Sequence, residues 1–154
     1  MASERSPRRG LEELEESPCY QLWRASNAWQ RTLRRSLDPL GLTHTQFIVL
    51  SITGRLARVE SCVTQSMIHE AADLDENLTS QVVRSLQTKG LVDRGRHPED
   101  RRAVSVVVTE EGQRMIEKGR AAIHASKEAF TAPVGDRKPE LTDLLRSIAD
   151  AAAS

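Results

Sequence analysis

The elements predicted along the 154-residue sequence indicate a mainly α-helical fold with a small β-hairpin wing, arranged as a winged helix-turn-helix. Three observations predict this fold class. Apolar residues recur at helical spacing over most of the chain, whereas residues 103–108 are rich in the β-branched residue valine. A short helix and a second helix, both with capping residues, directly precede this β-rich stretch. We find no internal repeat and no second domain.

The N-terminal region divides into a charged segment and a long helix. Residues 1–16 are rich in Arg, Glu and Ser, so we expect this segment to be flexible. Helical spacing of apolar residues then extends from Pro18 to Leu37. Asp38-Pro39 ends this helix, because proline disfavours the helical conformation at the residue before it.

Three helices with recognisable N-terminal caps follow. Thr43 begins a capping-box pattern, in which a glutamine three residues later can reach back to the backbone. Thr64 can cap a short helix. Asp75 can cap a third helix that runs to about Lys89, where Gly90 ends it.

A β-hairpin is predicted next. Residues 91–94 form a short strand, residues 95–102 a polar loop, and residues 103–108 the returning strand. Thr109 then caps another long helix, which ends at three helix-breaking residues: Pro133, Gly135 and Pro139. A final amphipathic helix carries four large apolar residues: Leu141, Leu144, Leu145 and Ile148.

The first and last helices have apolar faces that no other predicted element covers. A two-fold symmetric dimer would bury both faces. The sequence therefore predicts a homodimer.

The overall composition argues against several classes of protein. Lys plus Arg and Asp plus Glu each number 22, so the formal net charge is zero, unlike that of a histone-like protein or a polybasic membrane anchor.

The longest run of aliphatic and aromatic residues, Phe47–Leu50, is far shorter than the roughly 20 residues that span a membrane. The first residues lack the apolar stretch of a secretory signal. Two cysteines, Cys19 and Cys62, do not make a disulfide framework. We therefore expect a reduced, cytoplasmic protein with no membrane partner.

The zero net charge hides an uneven distribution of charges. Residues 60–83 carry five acidic and no basic side chains, whereas residues 84–102 carry six basic and three acidic ones. Local positive charge matters more for contact with phosphate than the net value does. The alternative interpretation of the basic stretch is a solvated face.

The helix from Asp75 has two distinct faces when successive residues are placed 100° apart. One arc carries the less polar side chains: Leu78, Thr79, Val82, Val83 and Leu86. The opposite arc carries amides, hydroxyls and a guanidinium, which can pair with base edges or phosphates in a major groove: Asn77, Ser80, Gln81, Arg84 and Thr88. A plain solvated surface is the alternative, but such a surface more often uses Glu and Lys. Of the second set, we select four as candidates for DNA recognition: Asn77, Ser80, Gln81 and Arg84.

Several sequence segments carry a resemblance to a known family. They are the run LQTKGLVDR at residues 86–94, PEDRRA at residues 98–103, VTEEG at residues 108–112 and LTHTQFIVL at residues 42–50. Over about residues 19–125 the chain resembles the MarR family of bacterial transcriptional regulators.

This resemblance implies a homodimer that binds double-stranded DNA at a pseudo-palindromic operator and is released by a small molecule or an oxidant. The protein is then expected to be a repressor. The second helix of the helix-turn-helix enters the major groove, and the wing tip reaches the minor groove through Arg102, with the Asp100 carboxylate holding its guanidinium in place. The alternative is that Asp100 and Arg102 form only a structural salt bridge. The candidate wing residues are Arg94, Arg96, Asp100, Arg101 and Arg102.

The resemblance also suggests how the chain is divided. Residues 17–154 form a single domain, in which residues 42–109 are the DNA-binding lobe. Residues 17–40 and 110–154 are expected to be the dimerisation helices.

Two signals are candidates for releasing DNA. Residues 19–26 resemble the first helix of the organic-hydroperoxide-sensing branch of the family, which implies a redox-sensing Cys19. The tyrosines of that branch are replaced here by Trp23, Leu33 and His44, and the alternative is that Cys19 is a small buried residue. The second signal is an aromatic carboxylate or phenolic ligand, held by residues that are otherwise expected in the core: Trp23, Trp29, His44 and Phe47.

Other functional classes have less support in the sequence. The four histidines lack metal-ligand spacing, and no phosphate-binding glycine loop or nucleophile motif is present, so we expect no enzyme activity, no metal and no cofactor. A protein-interaction module that uses a winged-helix scaffold without DNA binding is the alternative function. Affinity for duplex DNA that falls steeply with salt distinguishes the two, because only a DNA-binding protein releases counterions.

Overall fold

The computed structural model describes residues 13–100 and 102–152. Within the predicted flexible segment, residues 1–12 lie outside the described part, and residues 13–15 are helical. Six helices and two strands follow: α1 (Pro18–Leu37), α2 (His44–Leu56), α3 (Gln65–Ala72), α4 (Glu76–Thr88), β1 (Val92–Arg96), β2 (Val104–Val108), α5 (Glu110–Thr131) and α6 (Lys138–Ala152). This order confirms the predicted fold class.

Local capping interactions fix where the central helices begin. The Thr43 hydroxyl accepts a hydrogen bond from the Gln46 backbone N–H, and the Gln46 side chain accepts one from the Thr43 N–H, which confirms the predicted capping box. Thr64, Asp75 and Thr109 cap α3, α4 and α5 through their side-chain oxygens.

Strands β1 and β2 form an antiparallel hairpin, in which Val92 lies opposite Val108 and Arg96 lies opposite Val104. The first strand is longer than predicted, because Gly95 and Arg96 continue the pairing instead of opening the loop. The Val106 N–H also donates to the Val63 carbonyl, 2.9 Å away, which ties the hairpin to the segment before α3.

The hydrophobic core lies between α2, α3, α4 and the hairpin, and Leu37 of α1 and Ile116 of α5 are also buried in it. Its fully buried members include Val49, Leu50, Ile68, Val83 and Leu86. This core attaches α4 to the rest of the domain through its apolar side and leaves the opposite side of the helix in solvent.

Helices α1 and α5 pack against each other at one end of the molecule. The ring centroids of Trp29 and Phe130 lie 5.2 Å apart, and the hydroxyl oxygens of Ser36 and Ser126 are hydrogen-bonded at 2.5 Å. A 3-10 turn at Ala132–Arg137, with Gly135 at φ +58°, separates α5 from α6, as the helix-breaking residues predict.

Helix α6 exposes its apolar residues in the monomer. Together with α1 and the end of α5 it forms a groove of about 680 Å³, whose apolar walls include Leu22, Trp29, Phe130, Leu144 and Ile148. In the described part of the chain, no helix is both long enough and apolar enough to cross a membrane.

Candidate nucleic-acid interface

Helices α3 and α4 are joined by a tight turn. Asp73 ends α3 in the left-handed conformation, with φ +50°. The Asp75 carboxylate then accepts hydrogen bonds from the N–H groups of Asn77 and Leu78, at 2.8 and 3.1 Å. Because this carboxylate sits on the positive end of the α4 dipole, part of its charge is compensated within the protein.

The polar face of α4 is open to solvent, as the sequence predicts. Asn77, Gln81 and Arg84 are exposed, and Ser80 is half-buried. The Arg84 guanidinium donates to the Ser80 hydroxyl at 2.7 Å, so it lies back along the helix toward its N-terminus. The structure thus brings the four candidate recognition residues together on one surface.

Leu78 does not lie in the core, although its place on the helical wheel predicts that it faces inward. It is 41% exposed. At 100° from Asn77 it stands at the margin of the apolar arc, whereas Thr79 in the same turn lies nearer the centre of that arc and is fully buried. The first turn of the helix therefore presents an apolar group beside its polar ones.

The wing tip is shaped by hydrogen bonds to the backbone. His97 Nδ1 accepts from the N–H groups of Glu99 and Asp100, at 3.2 and 3.1 Å. The Asp100 carboxylate accepts from the backbone N–H of Arg102, at 2.9 Å, and the Asp100 carbonyl accepts from the N–H of Ala103. This is an Asx-type turn that closes the loop of the hairpin.

The expected pairing of the Asp100 carboxylate with the Arg102 guanidinium is wrong, and so is the alternative of a structural salt bridge between them. No such ion pair is found among the described residues. The carboxylate fixes the peptide backbone instead, because it accepts the N–H of Arg102 two residues along the chain, as in an Asx turn. The exposed Arg102 side chain remains available to a partner.

The other candidate wing residues differ in accessibility. Arg96 is exposed, and Arg101 lies outside the described residues. Arg94 is only half-buried, but its Nε is fully buried and has no hydrogen-bond partner among the described residues. It lies opposite the buried Val106, on the face of the hairpin that covers the core. Of the predicted arginines that the structure describes, Arg96 and Arg102 are therefore the more exposed.

The residues proposed as a ligand pocket are not brought together. Phe47 is 7% exposed and belongs to the core, and Trp29 lines the groove between α1 and α6. His44 stands at the first position of α2, where partial burial lowers its pKa. Trp23 is 60% exposed on α1.

A second groove, of about 490 Å³, runs along the exposed side of α1. The Tyr20 and Trp23 rings stack with centroids 5.7 Å apart, and the Arg24 guanidinium lies 5.8 Å from the Tyr20 ring centroid. Arg31 lines the same groove. The sequence interpretation missed Tyr20, Arg24 and Arg31 as lining residues, although their spacing of four and seven places them on one helix face.

Both described cysteines are free thiols. Cys19 is exposed near the start of α1, so the alternative that it is a buried core residue is wrong. Cys62 is half-buried before α3. Among the described residues, no group of three or more His, Cys, Asp or Glu side chains is placed to hold a metal ion.

A helix-turn-helix with an exposed polar second helix and an arginine-bearing wing defines a DNA-binding transcriptional regulator of the winged-helix class. The sequence model of the MarR family matches residues 40–103. An uncharacterised HTH-type transcriptional regulator of Bacillus subtilis, YdcH, is 30% identical over 128 residues, which cover 83% of this chain and 87% of that protein. The chain belongs to the MarR family of transcriptional regulators.

Other relatives are more distant. The organic hydroperoxide resistance transcriptional regulator of Bacillus subtilis is 27% identical over 105 residues, or 68% of this chain and 69% of that protein. The solved structure of the PcaV transcriptional regulator from Streptomyces coelicolor is 29% identical, with a TM-score of 0.76 over 89% of this chain and 98% of that one. A complex of the MarR C80S mutant from E. coli with operator DNA is 25% identical, with a TM-score of 0.71 over 83% and 90% of the two chains.

Proposed function

We propose that this protein is a cytoplasmic repressor that binds a pseudo-palindromic operator as a homodimer and leaves it when a small molecule or an oxidant arrives. The observation that carries the proposal is that the polar face of α4 and the Arg102 side chain of the wing are both exposed. Asp100 fixes the backbone of Arg102 in a defined turn and leaves its side chain exposed. The similar MarR mutant solved with operator DNA supports it.

The recognition helix α4 reads base edges in the major groove. Asn77 and Gln81 offer amides suited to adenine, and Arg84 offers a guanidinium suited to guanine or phosphate. Ser80 orients Arg84 through their 2.7 Å hydrogen bond.

The wing contributes contacts to the neighbouring part of the duplex. Arg102 enters the minor groove, where a flat guanidinium fits the narrow, negative channel. Arg96 contacts phosphate, and Arg101 adds to the positive charge of the tip. Arg94 acts from the base of the wing, where its buried Nε limits its reach.

The homodimer is formed by the helices outside the DNA-binding lobe at residues 42–109, that is, by residues 17–40 and 110–154. Helix α6 exposes Leu144 and Ile148 in the monomer, and the groove that it forms with α1 has mostly apolar walls. An apolar surface of this kind is costly in water, and a second copy related by two-fold symmetry covers both helices at once.

The groove of Tyr20 and Trp23 on α1 is the proposed site of the releasing signal. Aromatic rings and two guanidinium groups, those of Arg24 and Arg31, suit an aromatic carboxylate or a phenolic acid. PcaV has also been solved in complex with its natural ligand. Oxidation of Cys19 by an organic hydroperoxide is the second candidate, because the thiol is exposed and the organic hydroperoxide resistance regulator is a relative.

The decisive experiment for the function is a genomic selection for bound DNA, followed by a gel shift on the selected site. Binding that is tight on the selected site and falls steeply with salt is the expected result. Equal, salt-insensitive affinity for all duplexes, or no affinity, would favour a protein-interaction module instead.

The signal is tested on the same complex. Aromatic acids are added to the wild-type protein and to Trp23→Ala, and cumene hydroperoxide is added to the wild-type protein and to Cys19→Ser. Release by an acid that Trp23→Ala abolishes supports the groove. Release by the peroxide that persists in Cys19→Ser excludes the redox route through this thiol.

A further inference from the structure

Gln46 contacts three separate parts of the molecule with one side-chain amide. Its Oε1 accepts from the Thr43 N–H at 3.1 Å and from the Lys89 ammonium at 3.3 Å. Its Nε2 donates to the Ser85 hydroxyl at 2.9 Å. Only the first of these hydrogen bonds is needed to begin α2. The other two reach across to α4.

Lys89 extends the same connection. It is the C-terminal cap of α4, and its ammonium donates a hydrogen bond to the carbonyl of Gly41. Gly41 adopts φ +65° and ends the short 3-10 turn that follows α1. A cation at this end of α4 is also favoured by the helix dipole. Lys89 thus links the last turn of α4 to the junction between α1 and α2.

These contacts all lie at the C-terminal end of α4. We call Gln46, Ser85 and Lys89 the junction clamp. At the other end of α4, Asn77 and Leu78 are exposed. Among the described residues, the side-chain hydrogen bonds that join α4 to α2 and to the junction between α1 and α2 therefore lie at its C-terminal end, whereas the hydrogen bonds of the Asp75 cap at the other end are local.

Apolar packing and hydrogen bonds restrain α4 in different ways. Val82, Val83 and Leu86 attach the helix by burial, which is non-directional. Hydrogen bonds depend on angle as well as distance, so contacts across two helices resist rotation of one relative to the other. Partly exposed hydrogen bonds add little to stability, which makes orientation the larger effect of the clamp.

We propose that Gln46 is a positioning residue, which acts through Ser85 and Lys89 to set the angle of the recognition helix relative to α1. In the proposed homodimer, α1 belongs to the dimer-forming part, so this angle sets the spacing between the two recognition helices. The effect on the spacing of the recognition helices rests on the proposed DNA-binding function, whereas the angle between α4 and α1 is a property of one protomer.

The first test measures that angle without DNA. Spin labels are placed at Gln30→Cys on α1 and Glu76→Cys at the start of α4, in a Cys19→Ser/Cys62→Ser background, with labelled protein diluted into unlabelled protein. The clamp is removed by Ser85→Ala with Lys89→Met, which leaves the capping box intact. We expect a broader or shifted distance distribution, and we expect Ser85→Thr with Lys89→Arg to restore it. An unchanged distribution would overturn the proposal.

The second test uses the operator obtained from the genomic selection. One base pair inserted at its centre rotates one half-site by about 35° relative to the other. Wild-type protein should lose about tenfold or more in affinity for this altered operator, and the variant without the clamp should lose clearly less. For each protein, the affinity for the altered operator is divided by its affinity for the original operator. This ratio cancels the effect of the lost lysine charge. Equal ratios would contradict the positioning role.

The two tests separate the possible failures. If the wild-type protein binds no DNA site, the proposed function is wrong, and the distance distribution alone decides the clamp. Thermal unfolding is measured alongside both tests. If a clamp variant keeps its unfolding midpoint but changes its distance distribution, it has lost the orientation of α4 and not its stability.

Discussion

The Asp100 carboxylate accepts a hydrogen bond from the backbone N–H of Arg102, at 2.9 Å, and makes no ion pair with its guanidinium. The acidic residue therefore shapes the wing, and the basic residue two positions later is left to contact a partner. This division of roles leads to different expectations for substitutions at the two positions.

Asp100→Asn should preserve operator binding, whereas Asp100→Ala should weaken it. The asparagine side-chain oxygen can accept the same hydrogen bond and closes the same turn, and the loss of one negative charge favours DNA. Alanine offers no acceptor. Gel shifts of both variants at one salt concentration measure the difference, and equal losses would show that the charge of Asp100, not its turn, is what matters.

Arg102→Ala should weaken operator binding by about 1–3 kcal/mol and reduce the salt dependence by about one counterion if the contact includes phosphate. The turn is expected to survive, because it is made by the Arg102 backbone and the Asp100 side chain. The matched control is Arg114→Ala on α5, whose arginine is also exposed but pairs with Glu111. Circular dichroism checks the fold. Undiminished binding by Arg102→Ala would contradict the role of the wing.

Substitutions on α4 should change sequence preference rather than affinity for all DNA. Gln81→Ala and Arg84→Ala are each expected to cost about 1–3 kcal/mol at the base that the side chain contacts. Ser80→Ala should broaden the base preference at the DNA position that Arg84 contacts, since it removes the 2.7 Å hydrogen bond that orients the Arg84 guanidinium. Repeating the DNA selection with each variant measures this, and an unchanged consensus in all three would contradict base readout by α4.

The features that the sequence predicts correctly are those that depend on neighbouring residues. The Thr43 capping box and the Asp75 cap depend on contacts three residues or fewer away, so the local pattern is enough to find them. The hairpin also follows from a local run of valines. The exposed face of α4 follows from helical periodicity alone.

The features that the sequence does not predict are those that distant parts of the chain decide. Phe47 is a core residue because α5 packs over it, and Arg94 is half-buried because of the core beneath the hairpin. The sequence predicts Gln46 only as a cap, since its contacts with Ser85 and Lys89 span about forty residues of sequence. No local pattern carries this information.

His44 should make part of the stability depend on pH. Partial burial lowers its pKa in the folded protein, and its position at the positive end of the α2 dipole acts in the same direction. The unfolded chain then binds more protons, so this contribution is present above the unfolded pKa of about 6.5 and is lost as the pH falls below it. Between about pH 7.5 and 5.5, the melting temperature should therefore fall less for His44→Gln than for the wild-type protein. An equal fall in both would contradict this contribution.

The close approach of α5 to α2 should depend on the absence of a side chain at Gly119. A Cβ placed there would lie 2.7 Å from Cδ2 of Phe47, and the Phe47 ring is held in the core. Alanine normally stabilises a helix by about 0.5–1 kcal/mol relative to glycine. Gly119→Ala should instead destabilise the protein, by about 1–3 kcal/mol, because the ring must move within a packed core.

A double-mutant cycle with Phe47→Leu separates this steric effect from a general change in α5. Leucine is smaller than phenylalanine and relieves the overlap, so Gly119→Ala should cost less in that background than in the wild type. Denaturant unfolding of the four proteins gives the coupling free energy between the two positions. A large coupling identifies Phe47 as the residue that requires glycine at 119. A coupling near zero would mean that the two helices separate without strain on the ring, and would contradict the packing argument.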